Sequence, residues 1–403
     1  MDNKLKINNI RGQFPILKKK IYKNNLIYFD NASSNQKPQS VINKIKEYYE
    51  NFNSNVHRGI HYLSEKSTNA LENTRESIKK IISSKKINEI IFTSGTTESI
   101  NLIASAYGEK YIKKNDEIII SQMEHHANIV PWQILCRKKS AILKVVPIKK
   151  NGEINIDIFK KILNIRTKIV SVVYISNTLG VINPIKKIIK ESHLKKAIVI
   201  IDGAQAVAHT EINVQKLNCD FFIFSSNKIY GPTGIGILYG KRKILKKMPI
   251  YKSGGEMIEK VNTKRTTYNN LPYKFETGTP NIANIIAFQE SINFIIKIGI
   301  QNIEYYEKKL LNYLSNKIFN IKKVKNIGES NKKINIFSFI IKNIHHLDIC
   351  ILLDSKGIAV RTGHHCTQPL IKKFKINGVV RISLSIYNTY KEIDKFIEII
   401  NKI

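Results

Sequence analysis

Residues 221–234 read FFIFSSNKIYGPTG. Four consecutive apolar residues, Phe221 to Phe224, have the pattern of a buried strand. Small polar residues follow, then one lysine, then a Gly-Pro turn. Lysine is abundant in this chain, and most lysines belong on solvated faces. Lys228, standing where a core strand gives out, is therefore a candidate for chemistry.

Working outward, the same rhythm recurs. Short apolar runs at Glu89–Phe92, Glu117–Ile120, Ala141–Val146, Ile169–Ile175, Ala197–Ile201, Phe221–Phe224 and Ile235–Leu238 are mostly interleaved with helical or loop segments. Such alternation predicts an α/β domain with a large, mainly parallel, seven-stranded sheet. The middle strands are continuous Val/Ile/Phe runs, as both-face burial requires. After SGTTES, Ile100, Ile103, Ala104 and Tyr107 recur at helical spacing. Ser253 to Pro280 is turn-rich, and Asn281 to about Phe319 reads as long helices.

The C-terminal residues read as a small α+β unit. Strand Ile334–Ile341 precedes a helix around Leu347, Cys350 and Ile351 that Gly357 stops. Strands Ile358–Arg361 and Val379–Ser383 follow. The final helix opens on a Thr389/Glu392 capping box, with Ile393, Phe396, Ile397 and Ile400 on one face. The expected division is an N-terminal arm at 1–20, a large domain at 21–295 and a small domain at 296–403.

Composition bounds the function. The 66 basic and 31 acidic residues leave a net charge of +35. The lysines are spread along the chain, with no basic arm or arginine-rich segment, so nucleic-acid binding is not the expected function. No apolar run reaches the ~18 residues of a membrane span. The start, MDNKLKINNIRGQF, lacks the apolar core of a signal peptide, and a cytoplasmic protein is the default. Cys136, Cys219, Cys350 and Cys366 form no C-x-x-C pair, poor material for disulfides or a zinc ribbon.

Ligands of such sheets bind at the carboxyl ends of strands, and four strand ends carry candidates. In IIFTSGTTES, the N–H groups of Thr96 and Thr97 open a helix and could hold a phosphate, or simply cap it. In SQMEHHANIVPW, His125 could stack on a planar ring or serve as a hydrogen-bonded core residue. The pair His125–His126, and His57 with His61, lack the third ligand or glutamate that a metal site needs. In IVIIDGAQA, Asp202 ends an apolar run, so its carboxylate must be paired or functional; a pyridine nitrogen is one such partner. At Lys228, a partly dry pocket would make the amine a usable nucleophile and base. A phosphate cradle, a stacking ring, a carboxylate for a ring nitrogen and a lysine for a Schiff base together describe pyridoxal 5′-phosphate. Competing motifs fail: GPTGIGILYG lacks the G-x-G-x-x-G order, and Gly240-Lys241 is followed by Arg242 rather than Ser or Thr.

The small domain adds IAVRTGHHCTQP. Arg361 suits a substrate carboxylate by its bidentate fork. Cys366, in a polar Gly-His-His-Cys loop, suits a reactive thiol. Arg381, within a predicted strand, needs an anionic partner: a bound carboxylate, or an internal salt bridge.

DNAS, VHRGIHYLS, GTTESINL, ISQMEHHANIVPWQ, SNTLG, DGAQA, NKIYGPTGIGILYG, ETGTPN and RTGHHCTQP run from Asp30 toward the C-terminal domain, and the likeness extends beyond Arg381. Through these segments the chain resembles the group II cysteine desulfurases of the SUF system, in the class-V aminotransferase family. MEHHANIVPW and RTGHHC are the most specific. The resemblance implies the aspartate-aminotransferase fold (fold type I), pyridoxal 5′-phosphate, a homodimer, and L-cysteine as substrate. It implies that sulfur is left as a persulfide on Cys366 for a SUF-type acceptor protein and iron–sulfur cluster assembly. Selenocysteine lyase activity is the near alternative on the same site. By resemblance, Lys228 is the Schiff-base lysine, Asp202 partners the pyridine nitrogen, His125 stacks and shuttles a proton, and Gln205 contacts the phenolic oxygen. Thr97, Ser225 and, from the neighbouring subunit, Thr279 hold the phosphate, while Asn177 and Arg381 orient substrate. Two positions depart from the family pattern: Asn227 stands where a histidine that donates a hydrogen bond near the phosphate is usual, with its amide still able to donate, and Thr277 replaces a small alanine.

Overall fold

The short apolar runs become one sheet in the computed structural model, which describes residues 6–403. Its strands are β1 (Ile90–Thr93), β2 (Glu117–Ser121), β3 (Ile142–Val146), β4 (Thr167–Val173), β5 (Ile198–Asp202), β6 (Phe221–Ser225) and β7 (Gly236–Gly240). Their spatial order is β1-β7-β6-β5-β4-β2-β3, and only β7 runs antiparallel to its neighbours. The carboxyl ends of β1, β2, β4, β5 and β6 therefore share one edge. All five residues of β6 are buried, as a strand covered on both faces must be.

Glycine is required at one point of that edge. Gly236 of β7 pairs with Thr93 on one side and Ser225 on the other. A Cβ there would come within 2.5 Å of the Gly95 backbone. Its absence lets the Ser94–Thr97 turn fold over the end of the sheet.

Helices α1 (Gln39–Asn51), α2 (Tyr62–Ile81) and α3 (Ile282–Ile298) pack together beside the sheet. A 76° bend at Gly299 leads into α4 (Ile300–Ile318). No single helix among the described residues is long and apolar enough to cross a membrane. The second sheet is antiparallel: β8 (Val324–Ile327), β9 (Ile336–Ile341), β10 (Arg361–Gly363) and β11 (Val379–Ser383), in the order β8-β9-β11-β10. The last helix, α5 (Tyr390–Lys402), carries the predicted capping box: Glu392 N–H donates to Thr389 Oγ1 (3.3 Å) and Thr389 N–H to Glu392 Oε2 (2.9 Å). Ile393, Phe396, Ile397 and Ile400 are buried beneath it.

Two local expectations change. Ile358–Arg361 is not one strand. Ile358 and Ala359 pair in parallel with Ile27 and Tyr28, and only from Arg361 does the chain join the second sheet. The partner lies some 330 residues away in sequence, so no local pattern could announce the break. In the turn-rich region, Ile258–Val261 and Thr266–Tyr268 form a small antiparallel hairpin. Its residues are half-buried to exposed, which erases the hydrophobic period that marks a strand.

The predicted N-terminal arm, 1–20, begins with five residues outside the described ones. Of the rest, Ile10, Phe14 and Leu17 are buried. Phe14 is fully buried among Tyr230, Phe294 and Tyr387, and Arg11 pairs with Glu392 at 2.9 Å.

The least legible core feature is Arg75, fully buried on α2. It grips Glu276 through both Nη atoms (2.6 and 2.9 Å), Glu72 through Nε (3.0 Å), and the Ile90 carbonyl (3.0 Å). Arg75→Ala would leave Glu276 without its cation and should destabilise the protein by about 3–5 kcal/mol. Denaturant titration reads this as a lower midpoint; an unchanged midpoint would contradict it.

Candidate active site

The sheet edge, the Asp30–Ser34 segment and the β10–β11 region enclose a cleft of about 360 Å³. Its lining includes Thr96, Thr97, His125, Asn177, Asp202, Gln205, Ser225, Asn227, Lys228, Arg361, Cys366 and Arg381. Twelve of the thirteen candidate residues thus meet at one site. Thr279 does not. It lies with Thr277 and Gly278 in an adjoining surface pocket that shares Ser94 and Glu98 with the cleft.

Lys228 closes a 3-10 turn, Ser226–Lys228, directly after β6. Its Nζ donates to the carbonyls of Ala32 (2.6 Å) and Ser33 (2.7 Å). Burial, then the neighbouring Arg381 charge, push its pKa down to about 7. The amine is thus held partly uncharged near neutrality, as a nucleophile or base must be.

Asp202, the last residue of β5, is pushed up to about 6 by burial. Its Oδ1 accepts from Ala204 N–H (2.9 Å), and it has no ion-pair partner among the described residues. Gln205, on the turn that follows, donates to the Ala32 carbonyl (2.7 Å). His125 is pushed down to about 4 by burial, then by the Lys228 charge. Its Nδ1 accepts from Ala127 N–H (3.1 Å), which places the ring proton on Nε2. Beneath it Glu124 is fully buried and raised to about 8. It accepts from Ser121 Oγ (2.5 Å), Asn128 Nδ2 (2.7 Å) and Val173 N–H (3.0 Å), so desolvation outweighs three donors.

Around the glycine turn, Ser225 Oγ accepts from Thr96 N–H (2.8 Å) and lies 2.7 Å from Thr96 Oγ1. Asn227 Nδ2 points at the Ser33 carbonyl at 3.4 Å. On the small-domain side, Arg361 donates to Ser33 Oγ (2.5 Å). Arg381 makes the internal salt bridge: Nη2 binds Asp30 (2.8 Å) and Nη1 donates to the Asn177 carbonyl (2.9 Å), while Nε has no partner.

Cys366 follows His365, and both hold left-handed backbone, φ 56° and 49°. Non-glycine residues held there cost on the order of 1–3 kcal/mol each, a strain typical of functional loops. Asn177 Nδ2 donates to the His365 carbonyl (3.0 Å). The His365 ring is buried, with Nδ1 unpartnered. His57 and His61, by contrast, stay apart from the cleft: His57 faces Glu72 (3.2 Å) and His61 caps α2.

Asp30, Ala32, Ser33, Glu124, His126 and His365 were not assigned roles from sequence. DNAS and MEHH were visible as motifs, but their partners lie in distant segments.

A large mainly parallel sheet with a lysine at one strand end and an aspartate at another, closed by a small α+β domain, defines a fold type I pyridoxal-phosphate protein. The family model described as "Aminotransferase class-V" matches residues 27–396, and the chain belongs to that family. It is 48% identical to a cysteine desulfurase of Wigglesworthia glossinidia brevipalpis, over 98% of this chain and 97% of the relative. Three further relatives are longer, the chain spanning 65%, 58% and 63% of their lengths. Among solved structures, the cysteine desulfurase CsdA of Escherichia coli superposes with a TM-score of 0.92 at 30% identity, covering 99% of this chain and 98% of that one. The apo cysteine desulfurase of Thermococcus onnurineus NA1 gives 0.91 at 35% identity, covering 96% and 98%.

The family uses pyridoxal 5′-phosphate, and the residues present fit it. An unpaired buried carboxylate at Asp202 suits a pyridinium, a partly neutral Lys228 suits an aldehyde, and the unpartnered Asn177 Oδ1 and Arg381 Nε await a polar ligand. Treating the cofactor-free protein with a carbonyl reagent and borohydride should modify Lys228 first, half-maximally near pH 7. A midpoint near the ordinary lysine value of about 10.4 would contradict the desolvated-amine account.

Proposed function

We propose that the protein is a pyridoxal 5′-phosphate-dependent cysteine desulfurase, converting L-cysteine to L-alanine and retaining the sulfur as a persulfide on Cys366. One observation carries the reading: a desolvated lysine and a cysteine thiol line the same cleft, with an arginine whose Nε is unpaired beside them.

Lys228 would hold the cofactor covalently, Asp202 would face its ring nitrogen and Thr96, Thr97, Ser225 and Asn227 its phosphate, and when bound it would supply the electron sink that acidifies the substrate Cα–H. Arg381, with Asn177 and Arg361, orients the substrate carboxylate. Lys228 Nζ, partly neutral near pH 7, would take the Cα proton. His125, with its proton on Nε2, and Gln205 would be the residues that contact the cofactor's ring. Cys366 Sγ then attacks the substrate sulfur: the S–S bond forms as the C–S bond breaks, and the carbon takes a proton. Cysteine plus a thiol thus gives alanine plus a persulfide, with atoms and electrons in balance.

The persulfide passes to an acceptor protein for iron–sulfur cluster assembly. The working unit in this reading is a homodimer, because Thr279 lies outside its own chain's cleft and can serve a phosphate only in a neighbour's. A reducing, cytoplasmic setting agrees with four free cysteines.

Purified protein with cofactor, L-cysteine and a reductant should release alanine over many turnovers. Lys228→Ala should lose the covalent cofactor and roughly 10²–10⁴-fold in rate. Cys366→Ser should form no persulfide by mass. Undiminished turnover by Lys228→Ala would sink the proposal.

A further inference from the structure

The loop that carries Cys366 is gripped residue by residue from the large domain. Asn177 Nδ2 donates to the His365 carbonyl (3.0 Å), His126 N–H to the Cys366 carbonyl (2.8 Å), and Thr178 Oγ1 meets Thr367 Oγ1 (2.8 Å). The fourth contact is the only one made by a ring: Gln368 N–H donates to His126 Nε2 at 3.1 Å.

That fourth contact fills a gap in the loop's own chemistry. Gln368 is the first residue of the Gln368–Lys373 helix, where an N–H has no intrahelical acceptor. The preceding residue would ordinarily cap it, but Thr367 makes no side-chain cap bond. Its hydroxyl is committed instead to Thr178 Oγ1 and to the His364 carbonyl (2.8 Å). The helix start is therefore capped in trans, from the residue next to His125. The His126 ring also lies 5.7 Å from that of His364, whose Nδ1 accepts from Cys366 N–H (3.2 Å). Cap and cysteine are thus one assembly. Accepting a hydrogen bond requires an unprotonated Nε2, and burial with the adjacent His364 lowers the His126 pKa in that direction.

We propose that His126 is a positioning residue: its Nε2 caps the Gln368 helix from the opposite domain and so holds the left-handed Cys366 turn in line with the substrate sulfur. This rests on the desulfurase reading for its consequence, though not for its geometry. It also assigns the second histidine of MEHH a task distinct from that of the first.

The test compares His126→Gln, whose amide oxygen reaches about as far as Nε2, with His126→Phe, which keeps a ring against His364 but cannot accept. Two readouts are taken: hydrogen exchange of the Gln368 amide in cofactor-free protein, and single-turnover persulfide formation on Cys366 at saturating L-cysteine. In His126→Phe the amide should exchange roughly three- to tenfold faster, with persulfide formation slowed by a similar factor and KM little changed. His126→Gln should stay close to the parent in both. Equal exchange in His126→Phe and the parent would overturn the proposal, and so would a His126→Gln protein as impaired as His126→Phe. Absence of persulfide in the parent would defeat the desulfurase reading alone, since the exchange comparison would still decide whether His126 caps the loop.

Discussion

The ion pair between Asp30 and Arg381 is the contact on which the cleft depends. Arg381 is almost wholly buried on β11, and an unpaired cation there would be very costly. Asp30 answers that need at 2.8 Å, and its backbone bridges in parallel to Ser383 of the same sheet. The neighbouring contacts follow in register: Ala32 N–H donates to Ser383 Oγ (2.8 Å), and Asn31 Nδ2 to the Ser383 carbonyl (2.7 Å). With Asp30 anchored, the carbonyls of Ala32 and Ser33 face the ends of β5 and β6, where Lys228, Gln205 and Asn227 donate to them. One buried pair thus couples the C-terminal sheet to the lysine of the large one.

Electrostatics inside the cleft differ in kind from the charge of the whole chain. The +35 is distributed over lysines along the sequence, where water and salt screen it. Around the buried Lys228, the cations Arg361 and Arg381 are set against the carboxylates of Asp30 and Asp202. Burial first, and then the neighbouring cations, depress Lys228 and His125 toward their neutral forms. The same cations offer partners to anions, such as a phosphate and a substrate carboxylate. Catalytic competence and ligand affinity then come from the same buried, cation-lined pocket, a pattern common at sites that tune pKa values.

Much of the fold was legible because the sheet's middle strands are covered on both faces. A run such as FFIF or IVII has few alternatives, and its end marks the sheet edge where ligands bind. Lys228, Asp202, His125 and the Thr96–Thr97 turn could be placed there from spacing alone. Arg381 was harder. The internal salt bridge is the reading the structure shows, and it leaves room for a substrate contact, because a guanidinium has enough donors to bind Asp30 and still leave Nε unpaired. The Ile358–Arg361 run shows the opposite case. Its strand pairing is decided by Ile27 and Tyr28, and nothing within the run records them.

The sequence by itself determined the parallel sheet, the residues at its carboxyl edge and the thiol loop, because each is written in local patterns of burial, turn and helix start. Tertiary structure alone decided which groups hold those residues in working form. The carbonyls that receive Lys228, the carboxylate that neutralises Arg381 and the imidazole that caps the Cys366 loop all come from segments far away in the chain. Hydrogen bonds and ion pairs are short-range in space and carry no imprint at such separations. A backbone carbonyl, moreover, looks the same in sequence whatever it accepts.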